Sequence, residues 1–225
     1  RRKTQRVAQL LAAEADPGYA RDVVMHRALF GNGYAAAQPG GTRSSLSALT
    51  LNDVKRQYQA LVAHEQAALV VVGNVDRAAA QAALEAAFGD WKGKAKAEAA
   101  ELEARASKAG IYIIDYPGAT QSSLAVARRA PGQDAPNYFA ATLFSRALGE
   151  AFTSRLNLNL REDKGYTYGA GSTFDRWQDS GLFQISANVK SEVTRESLNE
   201  IFRELRELAT TRPISVAEHR EAIDG

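Results

Sequence analysis

Residues 154–171 read SRLNLNLREDKGYTYGAG. Leu156 and Leu160, with Phe152 just ahead of them, recur every four positions, the spacing of one apolar helix face. Lys164-Gly165 is a helix stop, a cation in the last turn followed by a residue that tolerates positive φ. Beyond it Tyr166, Tyr168 and Ala170 alternate with Thr167 and Gly169, the period of a strand. The spacing predicts a helix that turns through one tight corner into a strand, with Arg161 and Tyr168 on either side.

Elements are predicted outward from that corner. A helix starts near Pro136 and stops at Gly149, with Phe139, Leu143, Phe144 and Leu148 on its buried side. Two strands precede it, GIYIIDYP from Gly110 and QSSLAVARRA from Gln121, joined by a turn at Pro117-Gly118. Downstream, Phe183, Ile185, Ala187 and Val189 alternate with Gln184, Ser186 and Asn188, as in an antiparallel strand with one solvated face. Leu198, Ile201, Leu205 and Leu208 define an amphipathic helix, and Ser215 with Glu218 forms a capping box for the next.

The first third is mainly helical: RVAQLLAAEA, then GYARDVVMHRALFG, then a glycine-rich loop. Thr50 and Asp53 have capping-box spacing before a helix with Val54, Tyr58 and Leu61 on its apolar face. AALVVVGNVD, residues 67–76, is a short apolar run predicted to be a buried strand. Asp76 caps the following helix, which Gly89 closes. Residues 90–109 are rich in Lys, Ala and Glu, lack a periodic apolar face, and have the character of an exposed linker. Strands grouped with strands and helices with helices indicate an α+β fold, an antiparallel-rich sheet packed against helices. The chain divides into two half-domains, 1–89 and 110–225, around that linker.

Composition narrows the chemistry. The 225 residues are 45% hydrophobic and 24% charged, enough for a buried core, and a net charge of +2 is too small for a nucleic-acid footprint. Without cysteine there is no disulfide, no thiolate zinc ligand and no thiol nucleophile. No run approaches the roughly 18 apolar residues of a membrane span. GNGYAAAQPGG lacks the Gly-Lys-Ser/Thr of a phosphate loop, and VVVGNVD has one glycine where a dinucleotide fingerprint has three. His26, His64 and His219 are widely separated and read as surface or structural side chains, since a zinc site takes three protein ligands. On its own residues the chain shows no complete catalytic machine.

Taken together, DPGYARDVVMHRALFGNGYA, GGTRSSLSALTLNDVKRQYQALV, AALVVVGNVD and RALGEAFTSRLNLNLREDKGYTYGAGS occur in the order found in the pitrilysin/insulinase family of zinc metallopeptidases, which the chain resembles. That family includes the mitochondrial processing peptidases. The most specific element is Leu160-Arg161-Glu162 with a tyrosine seven residues after the arginine; Tyr166 falls two positions short. The resemblance implies a metallopeptidase α/β-roll fold, with residues 1–89 the second half of one peptidase-like domain and 110–225 the first half of the next. It also implies that Arg161 and Tyr168 reach a zinc site on another domain or subunit, bind the substrate and stabilise the tetrahedral intermediate. An arginine can hydrogen-bond a peptide carbonyl, and a phenol can donate to a developing oxyanion.

The departures from the family pattern matter equally. The family's His-x-x-Glu-His motif is absent, and Gln9 falls where its distal glutamate ligand is expected. The implied role is therefore the non-catalytic, substrate-binding portion of a zinc metallopeptidase. No catalytic or metal-binding residue is assigned to the chain itself, and zinc is expected in the active domain or partner subunit. The alternatives are a fragment of a catalytically active single-chain zinc endopeptidase, or a structural scaffold subunit. Expected partners are a peptide or unfolded protein substrate and a zinc-bearing domain or subunit, with a homodimer formed if the two half-domains complement each other between chains. The resemblance suggests the bacterial periplasm.

Overall fold

A computed structural model of the chain describes residues 2–31, 33–36, 40–63, 65, 67–93, 109–178 and 180–224. Two compact units emerge, one made of Arg1–Val7 with Gly40–Leu102, the other of Ala8–Pro39 with Glu103–Gly225. The linker expected at 90–109 lies mostly outside the described residues.

The first unit is helical where described. It contains the opening turns of α1 (Arg2–Glu14), then α3 (Arg43–Ala48), α4 (Leu51–Leu61) and α5 (Arg77–Phe88). Lys3 Nζ donates to the carbonyls of Ser47 (2.7 Å) and Leu49 (3.0 Å). The Thr50–Asp53 capping box forms, and its hydrogen bonds from the Thr50 side chain and backbone hold the Asp53 carboxyl down at about 2. Asp76 caps α5 through the Ala79 amide at 2.9 Å. The predicted apolar face of α4 is formed, yet Val54, Tyr58 and Leu61 are exposed.

The second unit carries the sheet. Strands β1 (Gln121–Ala130), β2 (Thr167–Arg176) and β3 (Gly181–Lys190) pair antiparallel in the order β1-β3-β2. The central strand alternates as its sequence requires. Ile185, Ala187 and Val189 are buried on one face with Leu148, Leu156, Leu160, Ala170 and Ile201. That core lies under α6 (Tyr138–Ser145), its π-helical continuation Arg146–Glu150, the π-helical segment Asn157–Asp163 and α7 (Thr194–Ala209). On the opposite face Leu182 packs with Met25 and Phe30 of α2 (Pro17–Phe30), next to Ala125, Ala127 and Trp177. The result is an α+β fold, one antiparallel sheet between helices.

The C-terminal helix α8 (Val216–Asp224) begins with the Ser215–Glu218 capping box. It is fastened by buried Arg155, whose guanidinium donates to both Glu218 oxygens (2.5 and 2.8 Å) and to the carbonyls of Arg212 (2.5 Å) and Pro213 (2.9 Å). The Arg155 hydrogen bond is the main reason the Glu218 carboxyl is held down at about 2.

Two sequence expectations differ from the structure. The strands predicted at Gly110–Pro117 and within 67–76 do not form among the described residues: Ile111, Ile113, Val70 and Val72 are exposed and lie outside any ladder. Apolar β-branched residues favour a strand only once a neighbouring backbone supplies the hydrogen bonds. Phe139 is also exposed, in the first turn of α6, where its ring meets that of Tyr138 edge to face.

Candidate functional site

The helix-to-strand corner forms where the sequence places it. Leu156 and Leu160 are fully buried, which anchors the Asn157–Asp163 segment to the sheet. Gly165 then adopts φ +63°. Its amide donates to the Arg161 carbonyl at 3.1 Å, and the Tyr166 amide donates to the Leu160 carbonyl at 2.8 Å. Asp163 sits 2.9 Å from Lys164 Nζ and raises the lysine pKa.

Phe152 departs from the predicted stripe. The helical turn begins only at Arg155, so Phe152 falls in the preceding turn and is 65% exposed. Its ring instead lies beneath the Arg161 guanidinium, whose carbon is 3.9 Å from the ring centroid. Such stacking restrains an otherwise flexible arginine. Arg161 Nε also lies 3.5 Å from a Glu162 oxygen.

Tyr168 is exposed for a different reason. The period-2 alternation predicted through Tyr166, Tyr168 and Ala170 is broken by a β-bulge. Thr167 pairs with Val189 and Ala170 with Ala187, so Tyr168 and Gly169 together face the single residue Asn188. A bulge re-aims the side chain it carries. Thr167 and Ala170 turn inward, while Tyr168 is 92% exposed and its hydroxyl has no hydrogen-bond partner among the described residues. The Thr167 hydroxyl closes the bulge, accepting from the Gly169 amide (3.1 Å) and donating to the Asn188 carbonyl (2.6 Å).

Arg161 and Tyr168 line one groove of about 780 Å³ at the margin of β2. Gly171, Thr173, Ser186 and Asn188 contribute a polar sheet surface, Phe152 an apolar wall, and Glu150 the opposite charge. Arg21 enters from α2, held by Asp22 (2.8 Å) and the Ser123 hydroxyl (2.9 Å). Gly149 allows the groove wall to approach β2 closely, since a Cβ there would lie 2.5 Å from the Ser172 amide nitrogen. A guanidinium, a free phenol and an open polar surface suit a chain that presents carbonyl oxygens. The sequence reading singled out Arg161 and Tyr168. It gave no sign of Arg21 or Glu150, and it assigned Phe152 to the core. Gly169 and Gly171, inside the predicted strand, are the signal that could have hinted at the bulge.

The described side chains do not make a zinc site. Among the described residues no group of three His, Cys, Asp or Glu side chains could hold a metal ion. His26 Nδ1 lies 2.8 Å from the Ala35 carbonyl, His219 is on α8, and His64 lies outside the described residues. Gln9 sits on α1. No described helix is long and apolar enough to cross a membrane.

Comparison with known proteins bears on the family and the fold. The family model described as the peptidase M16 inactive domain matches residues 48–225. An uncharacterized zinc protease of Mycobacterium leprae is 26% identical over 181 residues, covering 80% of this chain and 41% of that protein. The crystal structure of a peptidase M16 inactive domain from Pseudomonas fluorescens superposes with a TM-score of 0.87 at 27% identity, covering 98% of this chain and 53% of that one. A chain of complex III2 from Candida albicans, at 20% identity and a TM-score of 0.77, shares the fold over 98% of this chain and 54% of its own. This chain spans about half the length of the relatives it matches.

Proposed function

This chain belongs to the peptidase M16 family, the pitrilysin family its motifs resemble, and matches that family's inactive-domain type; on that footing we propose that it is a non-catalytic, substrate-binding portion of a zinc metallopeptidase. In this reading Arg161 holds a carbonyl oxygen of an extended or unfolded polypeptide, and Tyr168 donates its free hydroxyl to the oxyanion that develops there. The zinc belongs to another domain or subunit. Residues 1–89 and 110–225 act as halves of two successive peptidase-like domains.

One observation carries the reading: a stacked arginine and an exposed, unbonded tyrosine line one open polar groove. A tyrosine kept for packing would bury its ring, and an arginine kept for stability would be buried and closely paired as Arg155 is with Glu218, whereas Arg161 is part-exposed and meets Glu162 at 3.5 Å.

The test is turnover of fluorescein-labelled casein by the complete protein together with its zinc-bearing half. Arg161→Ala and Tyr168→Phe are each expected to lower kcat by roughly 10²-fold, the effect of losing one oxyanion-side donor. Turnover unchanged in both variants would refute the assignment.

A further inference from the structure

We infer that Asn157 is the positioning residue that fixes Arg161 and Tyr168 relative to each other, by joining three backbone segments through one buried amide. The inference rests on the substrate-binding role proposed above for that pair. Asn157 Nδ2 donates to the Ala151 carbonyl and to the Ser154 hydroxyl, each at 3.1 Å, and its Oδ1 accepts from the Ala170 amide at 3.0 Å. The residue is buried, so these bonds form away from competing water.

Each partner belongs to a segment the site needs. Ala151 immediately precedes Phe152, the platform under the Arg161 guanidinium. Asn157 itself opens the helical segment that carries Arg161 four residues on. Ala170 is where β2 returns to register with β3 after the bulge, so holding its amide fixes where the Tyr168–Gly169 bulge ends. The Thr167 hydroxyl closes the bulge from its other end. Platform, arginine and tyrosine therefore share one anchor.

The chemistry of the anchor is specific. An amide supplies donors and an acceptor without charge, and all three bonds need both. An aspartate in its place would keep the acceptor for Ala170 and lose the donors to Ala151 and Ser154. An alanine would lose everything and leave the Ala170 amide buried and unsatisfied. A side chain that served only local stability could be satisfied within its own helix; this one bridges turn, helix and strand.

Two measurements test the inference. The first is amide hydrogen exchange of the chain, read residue by residue. Asn157→Ala should speed exchange at Ala170 by about tenfold relative to Ile185 and Val189, the equivalent of one net hydrogen bond. Unchanged relative protection would overturn the clamp whatever the groove binds. Should that variant fail to fold, Asn157→Asp is expected to keep the Ala170 protection, and losing it would likewise count against the clamp. The second is casein turnover by the complete protein with its zinc-bearing half. Asn157→Ala should lower kcat in the wild-type background and add almost nothing to the Arg161→Ala, Tyr168→Phe double variant, because it acts through that pair. Losses that simply multiply would assign Asn157 a general structural role. If Arg161→Ala and Tyr168→Phe leave turnover intact, the proposed function fails, while the exchange experiment still decides the clamp.

Discussion

Strand β3 and the run Leu69–Val75 are built from similar residues and end up in opposite environments. In β3, Ile185 and Val189 are fully buried between paired neighbours. In the other run Val72 is 92% exposed and no ladder forms. β3 alternates apolar and polar residues, so a single covered face satisfies it. Leu69-Val70-Val71-Val72 has no polar face and needs cover on both sides. The difference shows that β propensity states a requirement for partners, and the chain meets that requirement in one place only among its described residues.

The comparison breaks if the buried side does not behave as a core. Leu156→Ala removes a fully buried side chain beneath β2 and β3 and should destabilise the fold by about 2–5 kcal/mol, measured by urea unfolding. A loss under 1 kcal/mol would show that this packing is not the stabilising core.

The Arg155–Glu218 link comes next. Glu218→Gln keeps the shape and removes the charge that two guanidinium hydrogen bonds require. A loss of roughly 1.5–3 kcal/mol at neutral pH is expected, that of a hydrogen bond to a charged group. The folded carboxyl is held at about 2 against an ordinary value of 4.5, so its contribution is complete above 4.5 and declines as pH falls through 2. Wild type and Glu218→Gln should therefore converge in stability at acid pH. A gap that persists there would assign the effect to packing.

Gly149→Ala tests how tightly the groove wall meets the sheet. The new methyl would press on backbone atoms of Gly171 and Ser172, and backbone cannot swing aside. Overpacking of this kind costs about 1–3 kcal/mol. It should also lower the protection of the Ser172 amide in hydrogen exchange. A neutral substitution would mean that the wall has room to retreat.

Legibility in the sequence followed the same division. The corner, β1, β3, α7 and the capping boxes at Thr50 and Ser215 were readable because each rests on local spacing or on one covered face. The family resemblance named Arg161 and Tyr168 together, from the Leu-Arg-Glu element and its tyrosine seven residues on, and both line one groove. The groove was not. It depends on a bulge of one extra residue, on an arginine from α2, and on Phe152 slipping out of the helix because the turn starts at Arg155. None of these changes the apolar periodicity that sequence reading uses. The strands expected at Gly110–Pro117 and within 67–76 carried the right composition and lacked the partner backbone, which composition cannot report.

The smallest expected effect bears most directly on that last point. Val70→Thr and Val72→Thr exchange exposed methyl groups for hydroxyls and should shift the unfolding free energy of the isolated chain by less than about 0.5 kcal/mol. A loss above 1 kcal/mol that grows with protein concentration would mean the run is covered in solution by a second copy, as half-domain complementation between chains requires. A loss independent of concentration would place its cover within one chain. A neutral result at every concentration leaves an open valine edge, the kind of surface natural proteins protect with charge, proline or a neighbouring strand. Neither charge nor proline interrupts Leu69-Val70-Val71-Val72, which leaves a neighbouring strand as the protection that fits its sequence.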